Sequence, residues 1–266
     1  MAGVLIRPVV FKTDQELGYA AAEEIFAGIQ RTQKGGERFV LGCPSGRSPQ
    51  STYKALGEMI STNQQPLGNV HLALMDEYAR KAPDETFENV DEESHFSCRR
   101  FGFEEIRAVL NAGLPTDLRL PHSQVLVPDA RDPHEFEKIL EEMGVDIFLL
   151  ASGASDGHLA FNGYGTDRNT GVRVTQLSDE TRQDNLGTFP EFKSLADVPH
   201  YGVTVGPRTI TSLSKKTIMI LQGSHKRLAF SRITKAKMYE SDWPATIITE
   251  CINPHIFADE AAASSE

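Results

Sequence analysis

The chain has 266 residues, of which 39% are hydrophobic and 24% charged, with a formal net charge of −10. That composition is ordinary for a globular protein and far from a disordered or membrane composition. The acidic balance excludes a surface built mainly to hold nucleic-acid phosphates, which needs clustered Lys and Arg, so any phosphate must be bound locally. Cys43, Cys98 and Cys251 are odd in number and lack CxxC spacing, which suggests neither a disulfide framework nor a zinc site. The first apolar run is too short for a signal peptide, and no stretch approaches a membrane span. The expectation is a cytoplasmic, soluble protein in a reducing compartment, with no membrane or nucleic-acid partner.

In chain order, short β-branched runs alternate with stretches of helical periodicity, which predicts an α/β fold of βαβ units around a largely parallel sheet. Strands are expected at Val4 to Val10, Phe39 to Gly42, Val70 to Met75, Gln124 to Val127, Asp146 to Ala151, Gly202 to Gly206, Thr217 to Gln222 and Ala245 to Thr249. Helices are expected at Asp14 to Arg31, Pro49 to Ser61, His95 to Leu110, His134 to Met143 and His225 to Ile233. Nothing marks an interdomain linker, so residues 1–257 are expected to form one domain. The Ala-, Ser- and acid-rich tail, Ala258 to Glu266, is expected to fray. Arg80 to Glu93 and Gly163 to Pro199 lack periodicity and are candidate lids or binding loops.

Four strand ends carry polar, small-residue turns. Gly42-Cys43-Pro44-Ser45-Gly46-Arg47-Ser48-Pro49 runs from strand to helix, with Ser48 in N-cap position before Pro49. Such a helix start is a ready anion site, although most isolated motifs of this kind are only capped turns. Asp76 and Glu77 end an apolar strand, where open α/β sheets bind ligands and where acids also serve simply to cap turns. One carboxylate can remove a proton next to a carbonyl while its neighbour holds a hydroxyl. Asp156-Gly157-His158 follows a buried strand and is an acid/base pair by residue type, since a carboxylate fixes the tautomer of a nearby imidazole. One His and one Asp do not make a metal-ligand set. Gly223-Ser224-His225-Lys226 follows another strand, and Lys226 would supply charge to a phosphate, although an exposed helical lysine is the commoner case.

Taken together and in this order, from about residue 8 to 257, these segments resemble the glucosamine-6-phosphate deaminase family, within the larger group that also holds 6-phosphogluconolactonases. Met75-Asp76-Glu77-Tyr78 and Asp156-Gly157-His158-Leu159-Ala160-Phe161-Asn162 carry most of the resemblance, with Gly42 to Pro49, Tyr201 to Gly206 and Gly223 to Lys226 completing the series. The resemblance implies a Rossmann-like three-layer α/β/α fold and a hexose 6-phosphate ligand, with Ser45, Gly46, Arg47, Ser48, Glu77 and Lys226 as binding residues. It implies that His158, assisted by Asp156, opens the sugar ring and that Asp76 moves a proton between C1 and C2. The reaction implied is an aldose–ketose isomerisation in which the 2-amino group leaves as ammonia, an activity of the hydrolase class. No organic cofactor or catalytic metal is implied, and a homo-oligomer is compatible with the sequence.

The sequence departs from the family pattern in two places. Its histidine motif continues Gly163-Tyr164-Gly165 where the family has Glu-Pro after the Asn, so the carboxylate that supports the histidine is missing; Asp167 is the nearest substitute in the same loop. The arginine expected five residues after Arg182 is Gly187, with Arg47 or Arg208 as replacements. A lost charge-assisted phosphate contact costs about 1.5–3 kcal/mol, whereas a lost acid/base partner removes about 10²- to 10⁴-fold in rate. Isomerisation or lactone hydrolysis of a different sugar 6-phosphate, or non-catalytic sugar-phosphate binding, therefore stand as alternatives.

Overall fold

A computed structural model of the chain describes residues 5–264. Its strands are β1 (Val9–Phe11), β2 (Phe39–Cys43), β3 (Val70–Leu74), β4 (Asp76–Lys81), β5 (Phe87–Asn89), β6 (Val125–Leu126), β7 (Ile147–Ala151), β8 (Arg173–Gln176), β9 (Tyr201–Thr204), β10 (Thr217–Leu221) and β11 (Pro254–Asp259). Its helices are α1 (Asp14–Lys34), α2 (Gln50–Asn63), α3 (Cys98–Phe101), α4 (Ala108–Asn111), α5 (Pro133–Met143), α6 (Asp179–Thr188), α7 (Pro207–Leu213), α8 (Arg227–Lys235) and α9 (Glu260–Ala263).

Seven strands form an all-parallel sheet in the order β1-β11-β10-β7-β2-β3-β6, with helices packed on both faces. Alternation along the central strands explains the layers. Phe39, Leu41, Ile147, Leu149, Ile218 and Ile220 join Leu17, Ile25 and Tyr53 of α1 and α2 on one face. Val40, Phe148, Leu150, Met219 and Leu221 join Phe136, Ile210 and Ala229 of α5, α7 and α8 on the other. Strands buried on both faces read as continuous apolar runs, which is why they are legible in sequence.

A second sheet, β5-β4-β9-β8, is antiparallel and stands beyond the carboxyl edge of the first. Met75 joins the two: its N–H donates to Cys43 O, while its carbonyl accepts from Val205 N. Gly202 to Gly206, expected as part of the main sheet, thus contributes β9 to this smaller one. The aperiodic stretches contain β5, β8 and α6, short elements whose polar faces give little periodic signal.

Two expectations are corrected at the C-terminal end. Ala245 to Thr249 is a 3₁₀ segment, Pro244–Glu250, rather than a strand: Pro244 opens it, and an apolar run of this length has no period that separates strand from buried helix. The seventh strand is instead β11, which lies between β1 and β10, so Ala258 and Asp259 are buried rather than frayed. Asp259 then caps α9, accepting from Ala262 N at 2.7 Å, and also accepts from Gly223 N at 2.8 Å. At the N-terminus the strand starts at Val9; Val4 lies outside the described residues.

Candidate active site

β10, β7, β2 and β3 are consecutive in the parallel sheet, so their carboxyl ends deliver the four polar turns to one edge. Chain order reverses between β7 and β2, the position where ligands bind in open α/β sheets. Ser45, Gly46, Arg47, Ser48, Asp76, His158 and Lys226 all line one cleft there, together with Tyr78, Cys98, Phe161, Asp184 and Phe189.

Strand alternation sorts the two adjacent carboxylates. Asp76 faces the cleft, only 5% exposed, and accepts from the Ser45 hydroxyl at 3.3 Å. Burial pushes its pKa up to about 6; the contact with Cys98 and the Ser45 hydrogen bond pull it down, while the Glu77 charge adds to the rise. Glu77, expected at the substrate, faces the other way. Its carboxylate accepts from the N–H groups of Tyr78, Cys98 and Arg99 and from the Ser97 hydroxyl, at 2.7–3.0 Å. Every lone-pair direction is thus occupied, and Glu77 ties β4 to the start of α3 instead of binding ligand.

The turn after β7 is built so that Asp156 and His158 meet. A Cβ on Gly153 would fall 2.3 Å from both Asp156 Oδ1 and His158 Nδ1, so only glycine leaves room for the pair. Gly157 is at φ +66°, and its Cα abuts the Trp243 indole. Asp156 Oδ1 lies 2.7 Å from His158 Nδ1 and accepts the His158 N–H at 3.1 Å, while Oδ2 accepts from Thr181 Oγ1 at 3.0 Å. Burial pulls the Asp156 pKa upward, but the hydrogen bonds and charge of His158, with Thr181, outweigh it and hold the carboxyl at about 2. Asp156 is therefore a fixed anion that orients the imidazole, leaving Nε2 for chemistry.

A second carboxylate reaches the pair from another element. Asp167 spends its side chain on Asn169 in an exposed turn and does not line the cleft. Asp184, on α6, instead brings a carboxylate oxygen into a cluster with Asp156 and His158 whose ligating atoms all lie within 4.8 Å of one another. It also accepts from Ala154 N at 3.2 Å and Ser155 Oγ at 3.3 Å, bracing the turn. Thr181 and Asp184 are three residues apart on one helix face. That spacing, inside a polar stretch with no apolar period, is the single sequence signal that marks them. One imidazole and two carboxylates are also metal donors, but each oxygen of Asp156 and of Asp184 already accepts a hydrogen bond, and His158 Nε2 is the ring nitrogen left open, an arrangement suited to moving a proton.

At the opposite end are the cations. Lys226 is buried, its pKa lowered chiefly by desolvation, and its ammonium donates to Ser152 O at 2.5 Å. Ser48 does not cap α2; the cap position is Pro49, with no side-chain cap bond, so the Ser48 hydroxyl and the helix start remain available to an anion. The guanidinium of Arg47 lies 4.0 Å from where a side chain at Gly187 would begin. Arg47 thus stands next to the position where the family arginine is missing. Arg208 is committed elsewhere, to Glu137 at 3.0 Å. Arg182, buried, pairs with Asp179 and donates to the carbonyls of Leu195 and Val198, anchoring α6 over the cleft.

No family model matches the chain. Among curated proteins, it is 30% identical over 260 residues to a glucosamine-6-phosphate deaminase of Shouchella clausii, covering 95% of this chain and 94% of that protein. A glucosamine-6-phosphate isomerase of Candida albicans is 29% identical, covering 97% and 98% of the two chains. Among solved structures, a monomeric glucosamine-6-phosphate deaminase superposes with a TM-score of 0.79 at 24% identity, covering 97% and 99%. A 6-phosphogluconolactonase from Trypanosoma cruzi superposes at 0.68 and 18%, covering 98% and 97%. Among the described residues no helix is long and apolar enough to cross a membrane.

Proposed function

The chain belongs to the glucosamine-6-phosphate deaminase family, and on that premise we propose that it converts glucosamine 6-phosphate and water to fructose 6-phosphate and ammonia. The observation that carries this reading is the buried Asp76 carboxylate in one cleft with the braced Asp156–His158 pair and the cations Arg47 and Lys226. A buried carboxylate and a braced imidazole, with a separate cationic end, suit a phosphorylated sugar whose ring opens before its carbon chain is isomerised.

In this scheme the phosphate is held by the turn Ser45, Gly46, Arg47, Ser48 and by Lys226. His158 takes the proton from the C1 hydroxyl and returns one to the ring oxygen, breaking the C1–O5 bond and leaving the aldehyde. The charge of Asp156, with Asp184 beside it, supports the imidazolium formed between those two transfers. Asp76 then removes the C2 proton, and the C1 oxygen takes up the electron pair and a proton from the C2 ammonium, giving the enol. Asp76 returns its proton to C1, which moves the double bond to C2 as an iminium that adds water and expels ammonia. One water is consumed for each ammonia released, which is the hydrolytic part of the net reaction.

The Asp184 position favours this reading over simple sugar-phosphate binding, because a binding module has no need of a second carboxylate at the imidazole. Purified protein incubated with glucosamine 6-phosphate is expected to release ammonia and fructose 6-phosphate in equal amounts. Proton exchange at C2 without ammonia would reassign the protein as an isomerase. Rapid opening of a sugar lactone, abolished by His158→Ala and indifferent to Asp76→Asn, would reassign it as a lactonase.

A further inference from the structure

The proposed reaction leaves one polar group of the cleft without a task. Tyr78 is 1% exposed, yet its hydroxyl is buried without a protein hydrogen-bond partner among the described residues. A hydroxyl removed from water and left unpaired is unfavourable, so such a group calls for an explanation. Other orphaned atoms do not share its setting. Trp243 Nε1 lies outside the cleft lining, and Asn185, whose Nδ2 is also unpartnered and which does line the cleft, is only half-buried as a residue.

Tyr78 stands two residues beyond Asp76 on β4, and side chains so spaced share a strand face. Its ring is gripped by Phe96, Phe161 and Phe189, with centroids 5.3, 4.9 and 6.3 Å away. The hydroxyl therefore cannot swing to find a partner. The ionisable groups that act on it are the Cys98 thiol and the carboxylates of Asp76 and Glu77, and no cation of the phosphate end reaches it with a hydrogen bond.

We propose that the Tyr78 hydroxyl is a substrate-binding donor that hydrogen-bonds to an oxygen or nitrogen of the sugar's carbon chain near the carbon Asp76 deprotonates, and not to the phosphate. The proposal rests on the sugar-phosphate reading and deepens it: Tyr78 reads the sugar, while Arg47, Ser48 and Lys226 read the phosphate. Filling the aromatic collar with a ligand that carries an acceptor satisfies the orphan, so the cleft selects a polar carbon chain over an apolar one of the same shape.

Tyr78→Phe separates this role from a structural one. Since the hydroxyl has no partner in the free protein, its removal is expected to leave the unfolding temperature unchanged or raise it. The reduced probe 2-amino-2-deoxyglucitol 6-phosphate lacks the carbonyl and is not turned over, so its affinity is measurable directly. The variant is expected to bind it about 3- to 10-fold more weakly, the range for one neutral hydrogen bond, with affinity for inorganic phosphate unaltered. Unaltered binding of the amino alcohol phosphate, or equal weakening of both probes, would overturn the proposal. If the variant does not fold, the wild-type protein with a series of single-deoxy sugar phosphates supplies the second test. One deoxy position is expected to lose a similar factor, and a flat series overturns the assignment. Failure of the wild-type protein to bind either probe would instead overturn the sugar-phosphate reading beneath it.

Discussion

Asp76 illustrates how a reactive group costs stability. Its folded pKa, about 6, lies above that of an exposed aspartate because burial disfavours the anion. The stability associated with the neutral form is fully present below about pH 4 and is lost as pH rises through about 6. The anion, which the reaction needs as base, therefore forms against the fold, at roughly 2–3 kcal/mol near pH 7. We expect kcat/KM to rise with pH through about 6, and Asp76→Asn to lose about 10²- to 10⁴-fold in activity while unfolding at a higher temperature than wild type at pH 7.5. A variant that is inactive and also less stable than wild type would contradict that origin of the pKa. Asp156 has the opposite sign: its depressed pKa, about 2, contributes stability above about pH 4 that is lost as pH falls towards 2.

Asp184 belongs to the same scale. If its charge supports the imidazolium of ring opening, Asp184→Asn should reduce kcat by about 10- to 100-fold, as for a lost charged hydrogen-bond partner, with KM changed little. Asp184→Glu should restore part of that rate. If Asp184 only braces Ala154 and Ser155, the Asn variant should lose stability while keeping its kcat, which circular dichroism melting and steady-state kinetics together distinguish.

At the scale of elements, the turn after β7 depends on glycine in two distinct ways. Gly153 makes room for the Asp156–His158 contact, and Gly157 adopts a left-handed backbone pressed against Trp243. A Cβ at Gly157 would lie 2.3 Å from the indole in a conformation that side chains rarely adopt. Gly157→Ala is therefore expected to cost roughly 1–3 kcal/mol in urea unfolding and to lower activity beyond that loss, because the turn carries both reacting side chains. Retention of full activity would mean that the turn relaxes independently of the pair. The chemistry of this turn was readable from sequence, since a strand, small residues and an Asp-x-His spacing are all local. The second carboxylate beside the imidazole was not, because α6 is polar on nearly every face and reaches Asp156 only through folding. The same limit explains Glu77: adjacent carboxylates look alike in sequence, and only the register of β4 against β9 shows which one faces ligand.

For the whole molecule, the cleft is formed where two sheets meet, with β4 leaving the parallel sheet and α6 lying over the opening. A ligand that bridges the turn at Arg47, Lys226 and the face of β4 therefore binds only the assembled fold. Saturating glucosamine 6-phosphate is expected to raise the unfolding temperature, with about 2.7 kcal/mol available at 100 times Kd. In Arg47→Ala that rise should shrink by more than half at the same concentration. An equal rise in both proteins would show that Arg47 makes no phosphate contact. Differential scanning fluorimetry over a concentration series measures both.

By itself, the order of apolar runs and small polar turns determined the parallel sheet, its helical layers and the strand ends that carry Asp76, Asp156, His158 and Lys226. These follow from short-range patterning, because a strand buried on both faces and the turn after it leave their mark within about ten residues. Tertiary structure alone decided that β11 and not Pro244–Glu250 completes the sheet, that Glu77 braces the start of α3, that Asp184 stands beside the Asp156–His158 pair and that Arg47 stands beside Gly187. Each of these depends on which side chain meets which across the fold, and a contact between distant segments has no periodicity to betray it.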